Sequence, residues 1–141
     1  RRDVSGFAGA GNYGGFNWYF GDVAVDPNDP QVVYGEGVNL IRSSDGGQNF
    51  ADVDPGGQIH VDQHGMWIDP ANSSHLYVGN DGGFFSTTDL TGWFKSVDLP
   101  ISQFYAGCVD PSNASRLGGG TQDNGCMLTS GSPTAAACSA R

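Results

Sequence analysis

The segment His60-Val61-Asp62-Gln63-His64 sets two imidazoles and a carboxylate at alternate positions and holds two of the chain's three histidines. Alternate residues of an extended strand project to one side. Three chemistries fit that spacing. Asp62 can fix the tautomers of His60 and His64 in a hydrogen-bonded cluster. The same three groups can contact a polar ligand. Or His60 and His64 can bind zinc or iron as part of a facial set. Strand neighbours two apart sit about 7 Å apart at Cα, a long reach around one ion, so metal ligation is the weakest of the three. No metal or cofactor is expected.

A second group of candidates stands in turns. Asn80-Asp81-Gly82-Gly83 and Gln122-Asp123-Asn124-Gly125 are rich in carboxylates and amides. Asp81 and Asp123 could form the carboxylate pair of a glycoside hydrolase, one donating a proton while the other attacks or activates water. Both are also ordinary turn residues. Gln103, Gln122 and Asn124 have no accessible pKa and suit binding better than catalysis. Trp18, Tyr19, Phe104 and Tyr105 could stack on a sugar or fill the core, and Trp67 and Trp93 suit packing between repeats.

These residues are positioned by a repeat. Val23-Ala24-Val25-Asp26-Pro27 matches Met66-Trp67-Ile68-Asp69-Pro70 and Gly107-Cys108-Val109-Asp110-Pro111, with the Asp-Pro pairs 43 and 41 residues apart. A short run ending in glycine follows each: Val32–Gly35, Leu76–Gly79 and Leu117–Gly120. A tight turn and a third run come next. Each unit reads as short strands between turn residues, and no window has a helical period. Four strands in about 40 residues is one blade of a β-propeller. The expected fold is all-β, with antiparallel four-stranded blades. Residues 1–141 form a single partial β-propeller of about three blades, with repeats at approximately 16–58, 59–99 and 100–141.

Ser43-Ser44-Asp45-Gly46-Gly47-Gln48-Asn49-Phe50 has the pattern Ser-x-Asp-x-Gly-x-x-aromatic. It resembles the Asp-box, or BNR repeat, of sialidases, sortilin-like receptors and xyloglucan-degrading endoglucanases. Asn49 replaces the usual Thr or Ser. Thr87-Thr88-Asp89-Leu90-Thr91-Gly92-Trp93 is a shortened copy, and the third repeat lacks the aspartate. The job of Ser43, Asp45, Gly47 and Phe50 is structural: the carboxylate accepts backbone N–H groups, glycine supplies positive φ and the aromatic packs between strands. Over residues 12–130 the chain is similar to large secreted bacterial BNR-repeat propellers of the sortilin-like or glycosyl-hydrolase-like kind. The resemblance implies an extracellular or periplasmic protein and settles no reaction.

A four-strand meander sorts the motifs by end. Segments entering strand one and turns joining strands two and three share one face. That face collects His60, Asp62, His64, Asn80, Asp81, Gln103, Tyr105, Gln122, Asp123 and Asn124. Aromatics with planar polar groups suit a sugar. The expected function is binding or assembly of an extracellular propeller segment, with a glycan or protein as ligand. The alternatives are part of a xyloglucan-type glycoside hydrolase and a structural surface or filament subunit.

Composition narrows the partners. With 6 Lys+Arg against 15 Asp+Glu and a net charge of -9, nucleic acid and anionic membranes are poor partners. A sialidase needs clustered arginines, which are missing. No Gly-x-Ser-x-Gly or phosphate loop is present. Cys126 and Cys138 flank a Ser-Gly-Ser-Pro turn and could close it as a disulfide, or all three cysteines could be free thiols. No apolar leader is visible. Three blades leave open faces, so self-association or a longer parent chain is expected.

Overall fold

The computed structural model describes Tyr19 and residues 22–99 and 101–129. The chain divides into two compact units, residues 1–99 and 100–141. In the first unit, β1 (Asp22–Val25), β2 (Val33–Glu36), β3 (Leu40–Ser43) and β4 (Ala51–Asp52) form one sheet. A second sheet holds β5 (Gln63–Ile68), β6 (Leu76–Asn80), β7 (Gly83–Thr87) and β8 (Trp93–Lys95). Both are antiparallel meanders in chain order. The second unit pairs β9 (Phe104–Asp110), β10 (Asn113–Thr121) and β11 (Cys126–Thr129) the same way. Its chain beyond Thr129 lies outside the described residues.

Period-two burial sets the core of the first unit. Leu76 and Val78 of β6 point inward while Tyr77 between them is exposed. Val32 and Tyr34 from the first sheet meet Ile68 and Leu76 from the second in one cluster, flanked by Ala24, Val53, Met66, Leu90 and Trp93. Each fully buried side chain of this size contributes about 1.5–3 kcal/mol. Trp93 packs against this cluster as expected. Trp67 is 53% exposed and lies against Tyr77 on the sheet surface, ring centroids 5.6 Å apart.

The Asp-Pro turns join the two sheets by polar contacts. The Ser73 hydroxyl donates to Asp26 Oδ1 at 2.7 Å. The Asn28 amide donates to Pro70 O at 3.0 Å and to Ser73 Oγ at 3.1 Å. Burial pushes the Asp26 carboxyl up, but hydrogen bonds from Ser73 and from the backbone of Asn28 and Asp29 outweigh it and hold the group below the usual range.

The Ser43–Phe50 turn is built around one carboxylate. Asp45 Oδ1 accepts the N–H groups of Gln48 and Asn49, at 3.0 and 2.9 Å, and the Ser43 hydroxyl at 2.7 Å. Gly46 and Gly47 take φ of 73° and 87°, a region that costs other residues free energy. Gly46 N–H donates to Gln31 O, so this turn lies beside the Asp26-Pro27 turn. The 87–93 turn repeats the scheme: Asp89 Oδ1 accepts from Thr91 and Gly92 N–H, while Leu90, with no glycine in its place, is forced to φ 63°. In the second unit, a Cβ on Gly119 would fall 2.5 Å from the Phe104 ring and 2.7 Å from Ala106 O, so only glycine fits. Cys126 opens β11; its expected partner, Cys138, lies outside the described residues.

Two outcomes follow. Ser73→Ala should lower stability by about 1–2 kcal/mol in urea unfolding, because it strips a partner from a buried carboxylate. The Asp45 carboxyl lies well below its usual range, chiefly through the Asn49 N–H and then the Ser43 hydroxyl. A depressed pKa stabilises above the unfolded value and is lost as pH falls through the folded one. Asp45→Asn should therefore be less stable than wild type at neutral pH, with the gap narrowing below about pH 4.

Candidate functional site

The site of the first unit grows from a turn against a strand. Asp62 N–H donates to Val38 O and Gln63 N–H to Gly37 O, both at 2.8 Å. These bonds tie the approach to β5 onto the β2–β3 turn. The Gln63 side chain is 2% exposed. Its amide donates to His60 O at 2.7 Å, and Asn80 Nδ2 reaches the same carbonyl at 2.9 Å. Asn80 Nδ2 also lies 3.3 Å from Gln63 Oε1. Asp81 N–H then donates to Asp62 O at 3.3 Å.

This network corrects the reading of residues 60–64 as extended. Asp62 has φ 65° and β5 begins only at Gln63. The chain reverses at Asp62, so His60, Asp62 and His64 do not line one side of a strand. His60 turns back onto Gly82, where an added Cβ would come within 2.2 Å of His60 Cβ. Its Nδ1 lies 2.9 Å from Val61 O; a carbonyl only accepts, so Nδ1 carries the proton.

His64 stands at the surface. Its Nε2 is 2.6 Å from Asp81 Oδ1, and the two side chains are 37% and 17% exposed. The Tyr19 ring meets the imidazole edge to face at 5.5 Å. The pair therefore joins two adjacent motifs: the entry to the second sheet and its β6–β7 turn. Among the described residues, no group of three His, Cys, Asp or Glu side chains is placed to hold a metal ion.

Glu36, absent from the sequence-derived candidates, lies at the end of β2 on this same face. It is 2% exposed, its Oε2 has no hydrogen-bond partner, and it stands directly opposite Asp22 across the β1–β2 pair. Burial pushes its carboxyl up to about 7; Asp22 adds to the rise and His64 opposes it. A signal was present in the sequence. Glu36, Asn80 and Thr121 each follow the glycine that closes strand two, and all three are buried polar residues. Gln63 had a signal too, standing where the other repeats have Phe20 and Phe104.

The second unit places its own candidates at the corresponding end. Gln122 N–H donates to Gln103 O at 2.9 Å, so strand entry and β10–β11 turn are neighbours. Asn124 Nδ2 donates to Gln122 O, and the Thr121 hydroxyl to Gly125 O. Asp123 is exposed with φ 56°, shaping the turn. Tyr105 and Phe104 are 73% and 52% exposed. Asp81 and Asp123 fall in different units; the group beside Asp81 is His64.

No protein family and no curated protein matches the chain. Solved structures do. The Niastella koreensis GH74 enzyme aligns with a TM-score of 0.50 at 16% identity, covering 79% of this chain and 20% of that one. An ancestral GH74 enzyme aligns with a TM-score of 0.44 at 19% identity, covering 77% and 17%. The chain thus spans about a fifth of the length of the enzymes it matches. The fold is all-β, made of antiparallel blades of a β-propeller, about three in this chain.

Gly82→Ala should displace the His60 ring and lower stability by about 1–3 kcal/mol, the usual cost of forcing atoms into a filled space. Denaturant unfolding and the imidazole NMR shifts of His60 check it. Unchanged shifts would mean that the ring does not rest on Gly82.

Proposed function

We propose that this chain is a segment of a secreted BNR-type propeller that binds a glycan through the face carrying His64 and Asp81. The observation that carries this reading is the half-exposed His64–Asp81 pair with Tyr19 against the imidazole, held on a rigid base of buried Gln63 and Asn80. Planar polar groups can hydrogen-bond sugar hydroxyls, and an aromatic ring can cover an apolar sugar face. The ligand is neutral: the described residues of the site offer a carboxylate and no guanidinium, so uronic and sialic acids are disfavoured. The Asp45 and Asp89 turns have the hydrogen bonding that an Asp-box requires, which supports the BNR assignment and, through it, secretion. Gln103, Tyr105, Gln122, Asp123 and Asn124 are a corresponding ligand surface on the second unit.

A second reading has one observation behind it. The solved structures sharing the fold include GH74 enzymes, and Asp81 would then be one carboxylate of a hydrolytic set completed by residues beyond this chain.

A glycan array followed by calorimetry separates the two. Neutral oligosaccharides should bind, with sialylated ones absent from the hits. His64→Ala and Asp81→Asn should each weaken binding by about tenfold or more, a loss of about 1.4 kcal/mol, with circular dichroism unchanged. Equal affinity in both variants would overturn the site. Reducing-end release from β-glucans that vanishes in Asp81→Asn would instead favour hydrolysis.

A further inference from the structure

We propose that Glu36 is a proton-binding positioning residue: neutral, it lets β1 close onto β2 beside the His64–Asp81 pair, and ionised, it loosens that end of the sheet. The link to ligand rests on the reading of this face as a binding site; the proton uptake itself does not.

Three geometric facts converge. The Glu36 side chain is 2% exposed. Its Oε2 is buried without a hydrogen-bond partner. And Asp22 is its direct partner across the antiparallel pair, where like charges repel. A carboxylate under all three conditions is costly to ionise. The surroundings offer little relief. On the other side β3 presents Leu40, the apolar cross-strand partner of Glu36. Arg42 of β3 is opposite Tyr34, two residues back, with its guanidinium over that ring. From the second sheet His64 of β5 acts on Glu36 electrostatically while paired with Asp81 of the β6–β7 turn, and Asp62 docks on the β2–β3 turn at Val38. Asp22 adds to the rise, and among the described residues the imidazole of His64, already beside Asp81, is the group that opposes it.

The consequence has a definite sign. The carboxyl is raised from about 4.5 to about 7. A raised pKa contributes stability that is full below the unfolded value and is lost as pH rises through the folded one. The β1–β2 end should therefore be tight in mild acid and looser above about pH 7. Among the described residues β1 is the edge strand of its sheet, held there on one side only, so it is the strand that yields when Glu36 ionises. A ligand contacting His64, Tyr19 and Asp81 would favour the tight form, so its affinity would fall as Glu36 ionises.

The experiment needs no ligand for its first arm. In 13C-labelled protein, the Glu36 Cδ resonance should titrate with a midpoint near 7; a midpoint near 4.5 would overturn the proposal. Amide protection factors over Asp22–Val25 should fall by about tenfold between about pH 5.5 and 8.5, the size of one pKa unit. Glu36→Gln should hold them constant. The same pH-dependent loss in Glu36→Gln would assign it to another group and overturn the proposal. Should the Gln variant fail to fold, the wild-type titration still decides. In the second arm, oligosaccharide affinity should weaken with pH in wild type and stay flat in Glu36→Gln. Absence of binding at every pH sinks the ligand reading alone.

Discussion

The loop face of the first unit depends on one seam. Two successive backbone N–H groups, of Asp62 and Gln63, donate to the carbonyls of Val38 and Gly37. Such bonds leave no freedom in how the entry to one sheet meets the turn of the other. The buried Gln63 side chain then holds the His60 carbonyl, and Asn80 holds it from the other side. The left-handed Asp62 follows, because the chain must both donate to Val38 and turn into β5. Only after these constraints does His64 come to stand 2.6 Å from Asp81.

Identical side-chain chemistry does opposite work at the two ends of the sheets. At the Asp-Pro and Asp45 end, Asp26, Asp45 and Asp89 accept from N–H and O–H donors, and their ionised forms are favoured. Asp26, Asp45 and Asp89 all lie below their usual range; Asp89 falls to about 2, chiefly through the N–H groups of Gly92 and Thr91. At the loop end, Glu36 meets a leucine and a second carboxylate, and its neutral form is favoured. Hydrogen-bond donors decide the outcome. The exposed turns supply backbone N–H groups that no ladder uses, whereas the end of a central strand has already committed its own.

Much of the fold was legible because it rests on local chemistry repeated at a fixed interval. Asp-Pro, the glycine closing strand two and the 43–50 turn mark strand ends by their own conformational demands. The antiparallel order of each sheet follows, and with it the grouping of entry segments with β2–β3-type turns. What failed depended on contacts distant in sequence. Three alternating residues imitate an extended strand, and nothing within 60–64 announces that Asp62 must bond to Val38. Glu36 sat in view within a turn-like stretch, but burial and an orphaned oxygen belong to three dimensions.

The position occupied by Glu36, Asn80 and Thr121 carries the argument furthest. All three repeats bury a polar side chain there, so the scaffold wants a hydrogen-bonding group at the exit of strand two. Asn80 meets that need by donating to His60 O, and Thr121 by donating to Gly125 O. Each ties its own turn or entry segment in place, a structural task completed inside the repeat. Glu36 alone leaves an oxygen unpartnered. A repeat that needed only structure would do as well with the asparagine or threonine of its siblings. Carboxyl chemistry at this one address, beside the His64–Asp81 pair, is where the first repeat departs from the hydrogen bonding of its siblings.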